Sequence, residues 1–305
     1  MIRICARATF RSQTPLKPQQ WHAQRFFSCT QWRKEDPRLD DFGRKITDEF
    51  AEMREKYRFD ELRLAGHFLP GLKYWRGITD ALAHNGIEVI VAAVPPSGSI
   101  EARAAKLAES IAQKAKGKSV NIIAGLDSRY MISRLRPTDF KILSLTTIAS
   151  PHRGSAFADY MFETIGPRQI KRIYKVMEFF GFETGAFSQL TQDYMRTSFN
   201  PRTPDIEDVK YYSYGASLEP STWSVFAASH AIVKRTEGLN DGLVSIQSSR
   251  WGDYKGTLIG VSHLDLINWT NRLKWWFWSL TGTKRNFNAI AFYLDVCDML
   301  AKEDL

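Results

Sequence analysis

The chain has few cysteines, no long apolar run and no acidic residue before Glu35. Its three cysteines, Cys5, Cys29 and Cys297, cannot staple a domain by disulfides, and none stands in metal-ligand spacing. The longest uninterrupted apolar stretches, such as Val89–Val94 and Trp275–Trp278, fall far short of the roughly 18 residues of a membrane span. Mean hydropathy is −0.32. Internal repeats and low-complexity tracts are missing as well. A spanning membrane protein, a disulfide-stapled module and a zinc module are all disfavoured. What remains is ordinary globular composition, 44% apolar and 25% charged over 305 residues, enough for one large domain or two small ones.

The net charge of +9 invites a nucleic-acid reading, but its distribution argues against one. Arg3, Arg7, Arg11, Lys17, Arg25, Arg33 and Lys34 all precede the first acid. An acid-free, Arg-rich segment with Ser, Thr and Gln between the charges has the composition of an organelle transit peptide. Arg25-Phe26-Phe27-Ser28-Cys29-Thr30 has the form of a mitochondrial processing site, and residues 1–30 are read as a mitochondrial presequence. Cleavage there removes five basic residues and leaves +4. A plain disordered basic tail is the alternative reading of the same composition.

Residues 31–58 form a charged linker in which Phe42, Ile46, Phe50 and Met53 recur at helical spacing. From there to residue 305 the pattern alternates. Helix is expected over Tyr74–His84, Ala102–Ala115 and Leu126–Leu135, and strand over Ile87–Val94, Val120–Ala124, Lys141–Ala149, Val209–Ala216 and Thr257–Val261. That alternation predicts an α/β fold with a mostly parallel sheet and helices on both faces. About 156–200 the chain is crowded with large apolar residues, Phe157 to Phe180 above all. This insertion is either a helix pair packed on the sheet or a lid over an apolar pocket.

Two polar motifs stand near the carboxyl end. Asn240-Asp241-Gly242-Leu243-Val244 puts a carboxylate in a turn, and 22 residues later Val261-Ser262-His263-Leu264-Asp265 puts a histidine beyond a strand. Functional groups of a parallel sheet gather beyond the carboxyl ends of its strands. An acid followed by a histidine is also the tail of the order Ser…Asp…His, in which the carboxylate orients the imidazole and the imidazole takes the serine proton. Taken alone, a turn aspartate and a surface histidine are more often structural.

Five longer blocks carry a resemblance: Phe68-Leu69-Pro70-Gly71-Leu72-Lys73-Tyr74-Trp75-Arg76-Gly77-Ile78, Val94-Pro95-Pro96-Ser97-Gly98-Ser99-Ile100-Glu101, Gly125-Leu126-Asp127-Ser128-Arg129-Tyr130, Thr147-Ile148-Ala149-Ser150-Pro151-His152-Arg153-Gly154-Ser155, and the Asp241 motif. Together they resemble the fungal mitochondrial triacylglycerol lipases, which are similar to calcium-containing bacterial lipases. The likeness runs from about Phe59 to Leu273. It implies an α/β-hydrolase fold, Asp241 and His263 as catalytic acid and base, a lipid ester or fatty acyl chain as ligand, and a mitochondrial location. Asp265 matches a calcium-binding position of the bacterial relatives, with Glu219 a conceivable second ligand; the other reading makes it a local hydrogen-bonding residue with no cofactor.

Two features of that family are missing. Val120-Asn121-Ile122-Ile123-Ala124 passes directly into Gly125-Leu126-Asp127-Ser128, and no G-x-S-x-G elbow occurs anywhere. Upstream, Glu55-Lys56-Tyr57-Arg58 runs straight into Phe59-Asp60-Glu61-Leu62, where the family has a hydrophobic strand ending in an oxyanion His-Gly. The expectation is therefore a hydrolase without a nucleophile, with Ser128 the nearest stand-in and Ser150 and Ser155 weaker ones. Its alternative is a non-catalytic protein that binds lipid or a partner. The aromatic cluster Trp269, Trp275, Trp276, Phe277 and Trp278 reads as core packing or as a peripheral contact with a lipid interface.

Overall fold

The structure, a computed structural model, describes residues 78–94, 98–163, 188–221, 224–267 and 287–305, and the backbone of residues 2–8. The expected presequence beyond residue 8, the 31–58 linker, the block from Phe59 to Gly77, lid residues 164–187 and the Trp269–Trp278 cluster lie outside the described residues.

Six strands build one sheet: β1 (Ile2–Ala8), β2 (Ile87–Ala93), β3 (Val120–Ala124), β4 (Ile142–Ile148), β5 (Lys210–Ser217) and β6 (Asp253–Ile259), in the order β2-β1-β3-β4-β5-β6. From β3 to β6 every neighbouring pair is parallel. β3 and β4 read as largely apolar runs and are mostly buried, as strands of a parallel sheet covered on both faces are, whereas the edge strand β6 is mostly half-exposed. Successive side chains then divide between two cores. Ile122 faces one and Ile123 the other, while Tyr212, Tyr214 and Ala216 of β5 all point to the second.

Helix α1 (Ile78–His84) precedes β2, and α2 (Ile100–Ala115) follows it. Ser99 starts α2 by accepting from Ala102 N–H, and Lys116 ends it in the left-handed conformation. Ile100, Ala104, Leu107, Ile111 and Ala115 recur every three or four residues along α2. The last four join Ile90, Ala92, Val120, Ile122 and Leu145 in the first core. Helix α3 (Leu126–Tyr130) continues as a π-helical turn, Met131–Leu135, so the expected 126–135 helix is one run that changes pitch. A buried ion pair, Arg103 Nη2 to Asp127 Oδ2 at 2.8 Å, ties α2 to α3.

Residues 156–163 form α4, followed later by α5 (Ala227–Glu237), α6 (Ile246–Ser249) and α7 (Ala289–Lys302). The second core lies between the sheet and α1 with α7: Ile78, Leu82, Phe292, Tyr293 and Val296 pack on Ile123, Tyr212, Tyr214 and Leu258. The expected lid divides. Its far end, residues 192–202, is helical and packs Met195 and Phe199 against Ile100 and Leu126 on the body of the fold.

The strand at the amino terminus is a finding that composition did not suggest. β1 lies between β2 and β3, antiparallel to both, with Ile4 opposite Val91 and Ile123, and Cys5 opposite Ile90 and Ile122. The same residues head the acid-free segment read as a presequence, so cleavage near Arg25–Thr30 would carry this strand away. The edges of β2 and β3 that face it would then lose their partners. A buried backbone group left without a partner costs about 1–3 kcal/mol. Deleting residues 2–8 should therefore lower the melting temperature and speed amide exchange in Val89–Val91, Ile122 and Ile123. Unchanged exchange at those amides would show that the sheet does not need β1.

Candidate active site

The carboxyl ends of β5 and β6 hold the two polar motifs. Leu218 N–H, just past β5, donates to Asn240 O at 3.0 Å, and Val261 N–H, past β6, donates to Ser217 O at 3.1 Å. Both loops therefore hang from the same edge of the sheet, as the topological rule expects.

Asn240, fully buried, shapes the first loop. Its Oδ1 accepts from Gly242 N–H at 2.9 Å, and its Nδ2 donates to Gly238 O at 3.0 Å and His230 O at 3.3 Å. Gly242 has φ +106, and a Cβ there would lie 2.6 Å from the Phe226 ring. Only glycine fits, on both counts. The turn aims two amides at the acid: Asp241 Oδ1 accepts from Leu243 N–H at 3.0 Å and Val244 N–H at 2.9 Å. The other oxygen, Oδ2, lies 2.7 Å from His263 Nδ1. His263 N–H also donates to Asp241 O at 3.0 Å, which sets the ring's backbone against the acid's.

Asp241 is completely buried, whereas the His263 side chain is 24% exposed. A fully buried carboxylate that already accepts two amides accepts a third hydrogen bond from Nδ1–H, which leaves Nε2 as the basic nitrogen. Burial lowers the affinity of His263 for a proton, but the Asp241 charge and hydrogen bond outweigh it, and the pKa ends above the ordinary 6.5. This arrangement can orient an imidazole, accept a proton at Nε2 and stabilise the resulting imidazolium.

His152 shows the contrast. It is wholly buried, stacked on Trp251 at 5.3 Å between ring centroids, with Arg129 Nη1 3.3 Å from Nδ1 and Thr147 Oγ1 2.9 Å from Nε2. Arginine only donates, so Nδ1 accepts and Nε2–H donates to Thr147. Burial, then the charges of Arg129 and Arg153, drive its pKa well below 6.5. His152 braces its loop as a neutral ring. Arg129 in turn lies 3.5 Å above the Trp251 ring and donates to Asn200 Oδ1 and Thr203 O. This stack joins residues scattered from Arg129 to Trp251, and no local motif announces it.

The junction of β3 and α3 is continuous. Ala124 closes the strand, Gly125 has φ −129 and ψ −145, and Leu126 begins the helix. Ser128 sits inside α3 with 0% exposure, so its hydroxyl is presented to no external substrate. Ser150 and Ser155 are buried too, and Ser155 Oγ donates to Leu243 O at 2.6 Å. Asp265 Oδ2 accepts from Ser262 N–H at 3.0 Å and Ser262 Oγ at 2.6 Å, the local role given as one of its two readings. Glu219 pairs with Lys234 at 2.7 Å. Among the described residues no group of three His, Cys, Asp or Glu could hold a metal ion.

Comparison with known proteins adds the lineage. Over 251 residues the sequence is 40% identical to triacylglycerol lipase 2 of Saccharomyces cerevisiae, covering 76% of this chain and 74% of that protein. The chain belongs to the triacylglycerol lipase family. A triacylglycerol lipase of Pseudarthrobacter phenanthrenivorans is 27% identical over 272 residues, covering 66% of this chain and 84% of that one. No protein-family model matches the sequence. Among solved structures, Staphylococcus hyicus lipase superposes with a TM-score of 0.57 at 16% identity, covering 77% of this chain and 91% of that one. Mature Bacillus licheniformis lipase BlEst2 gives 0.53 at 17% identity, covering 67% and 83%. The fold is that of an α/β hydrolase, and its function is of the lipase type.

The Asp241–His263 contact has a pH signature. A histidine whose pKa is raised on folding contributes stability that is fully present below its unfolded pKa and is lost as pH rises through the folded value. Asp241→Asn should thus cost more stability at pH 5 than at pH 9, measured by denaturant unfolding. A loss independent of pH would mean that the acid does not hold the imidazolium.

Proposed function

We propose that this chain carries the acid–base half of a lipid acyl-ester hydrolase and, with the sequence it has, does not complete the reaction. Asp241 orients and charges the imidazole; His263 Nε2 is the atom that would take the nucleophile's proton and return it to the leaving alcohol. The observation that carries the reading is the 2.7 Å bond from His263 Nδ1 to a carboxylate already held by two amides. Triacylglycerol, named for the relatives, is the substrate class, and a fatty acyl chain the bound group.

The same frame supports an inactive state. The sequence has no G-x-S-x-G, Ser128 is enclosed in a helix, and β3 meets α3 without the strained turn that exposes a nucleophile. Loss of the serine costs on the order of a millionfold in kcat, and loss of one oxyanion donor a further 3 kcal/mol or so. In the resemblance to the family, the likeness resumes directly on either side of each absent block, which favours two discrete losses over gradual decay of the site. Mitochondrial import remains part of the proposal, with one consequence: residues 2–8 serve either in the cleaved leader or in the sheet, not in both at once.

The chain should give negligible turnover of p-nitrophenyl esters and no labelling by a fluorophosphonate. Insertion of Gly-His-Ser-Met-Gly between Ala124 and Gly125, with an apolar strand and His-Gly before Phe59, should restore labelling, and His263→Ala should abolish it again. Labelling of the unrepaired chain that is lost in Ser128→Ala would overturn the proposal.

A further inference from the structure

The loop of Asp241 is also the footing of α4. Ala156 N–H, at the start of α4, donates to Glu237 Oε1 at 2.6 Å, and Ser245 Oγ donates to the other oxygen, Oε2. One carboxylate from the last turn of α5 thus joins α4 to the end of the acid's loop. A second link runs beside it. Ser155 Oγ donates to Leu243 O at 2.6 Å, and Leu243 N–H donates to Asp241 Oδ1 at 3.0 Å. The segment from residue 188 to 202 is fastened at the same place: Ser155 N–H donates to Leu190 O at 2.9 Å, and Gln192 N–H to Asp159 Oδ1 at 3.0 Å.

We propose that Glu237 is a positioning residue that couples α4 to the Asp241–His263 pair, through Ser245 on one side and the Ser155–Leu243 bond on the other. The coupling rests on the reading of Asp241 and His263 as the acid–base pair. Its physical basis is specific to a carboxylate. Both oxygens accept, and a negative charge at the start of a helix is favoured by the unsatisfied amides there. A glutamine can still accept from Ala156 N–H, but toward Ser245 Oγ its amide only donates, which reverses that hydrogen bond, and it brings no negative charge to the start of α4. Displacement of α4 would pull on the residues whose amides hold Asp241 Oδ1, and so alter how firmly the acid holds the imidazole.

The experiment needs no turnover. In the full chain, Glu237→Gln is compared with the parent by NMR titration of the His263 imidazole and by amide exchange at Leu243 and Val244. The proposal predicts a downward shift of the His263 pKa and an exchange rate about tenfold faster at those amides. Ser155→Ala should move both in the same direction, whereas Lys234→Gln, which breaks an exposed pair on the same helix, should move neither. A Glu237→Gln chain with a lower melting temperature but an unmoved titration and unmoved exchange would overturn the coupling. Asp241→Asn separates the two failures. If it shifts His263 and Glu237→Gln does not, only the coupling falls; if neither does, the acid–base reading falls with it.

Discussion

The candidate site depends on one buried carboxylate. Asp241 is completely buried, and such a charge is tolerated only where hydrogen bonds and an opposite partner compensate its lost hydration. Two amides and one imidazole provide that compensation. Each supplier then imposes a requirement of its own. The amides need the turn, the turn needs glycine at 242 and the buried Asn240, and the imidazole needs the loop beyond β6. The motif Asn240-Asp241-Gly242-Leu243-Val244 is thus a solution to desolvating one charge.

The second constraint is the sheet. β2 and β3 do not touch each other; one strand's width separates them, and an antiparallel segment from the amino terminus fills it. Every other described neighbour pair in the sheet is parallel. A sheet interrupted between β2 and β3 would leave two rows of unpaired amides and carbonyls. β1 meets that backbone demand. Its Arg3 and Arg7 stand in register with Ala92 and Glu88, an unusual content for a strand in the interior of a sheet.

Much of the fold was legible because parallel strands covered on both faces are short β-branched and aromatic runs. Val120–Ala124 was placed to the residue, and Ile87–Ala93, Ile142–Ile148 and Lys210–Ser217 to within one or two. Helix α7 was missed although the signal existed: Asn288 caps it and Phe292, Tyr293, Val296, Cys297 and Leu300 recur at helical spacing. Helix α5 had little signal, since it buries only Ser229, His230 and Val233. β6 begins four residues before the expected Thr257, at Asp253, because β5 pairs with it from Tyr212 onward. β1 was hidden by its charge, which reads as a leader. At the site, Asp241 and His263 were visible as an ordered pair, whereas Glu237 and the Arg129–His152–Trp251 stack act between distant segments and have no local pattern.

Everything proposed for the site requires that the Asp241–His263 pair stand assembled in solution. Proton NMR of the full chain in water tests it most directly, through the hydrogen-bonded Nδ1–H of His263. The account predicts a far-downfield imidazole N–H resonance at neutral pH, present in the parent chain and lost in Asp241→Ala. No such resonance in the parent, together with a His263 that titrates as an ordinary histidine, would contradict it.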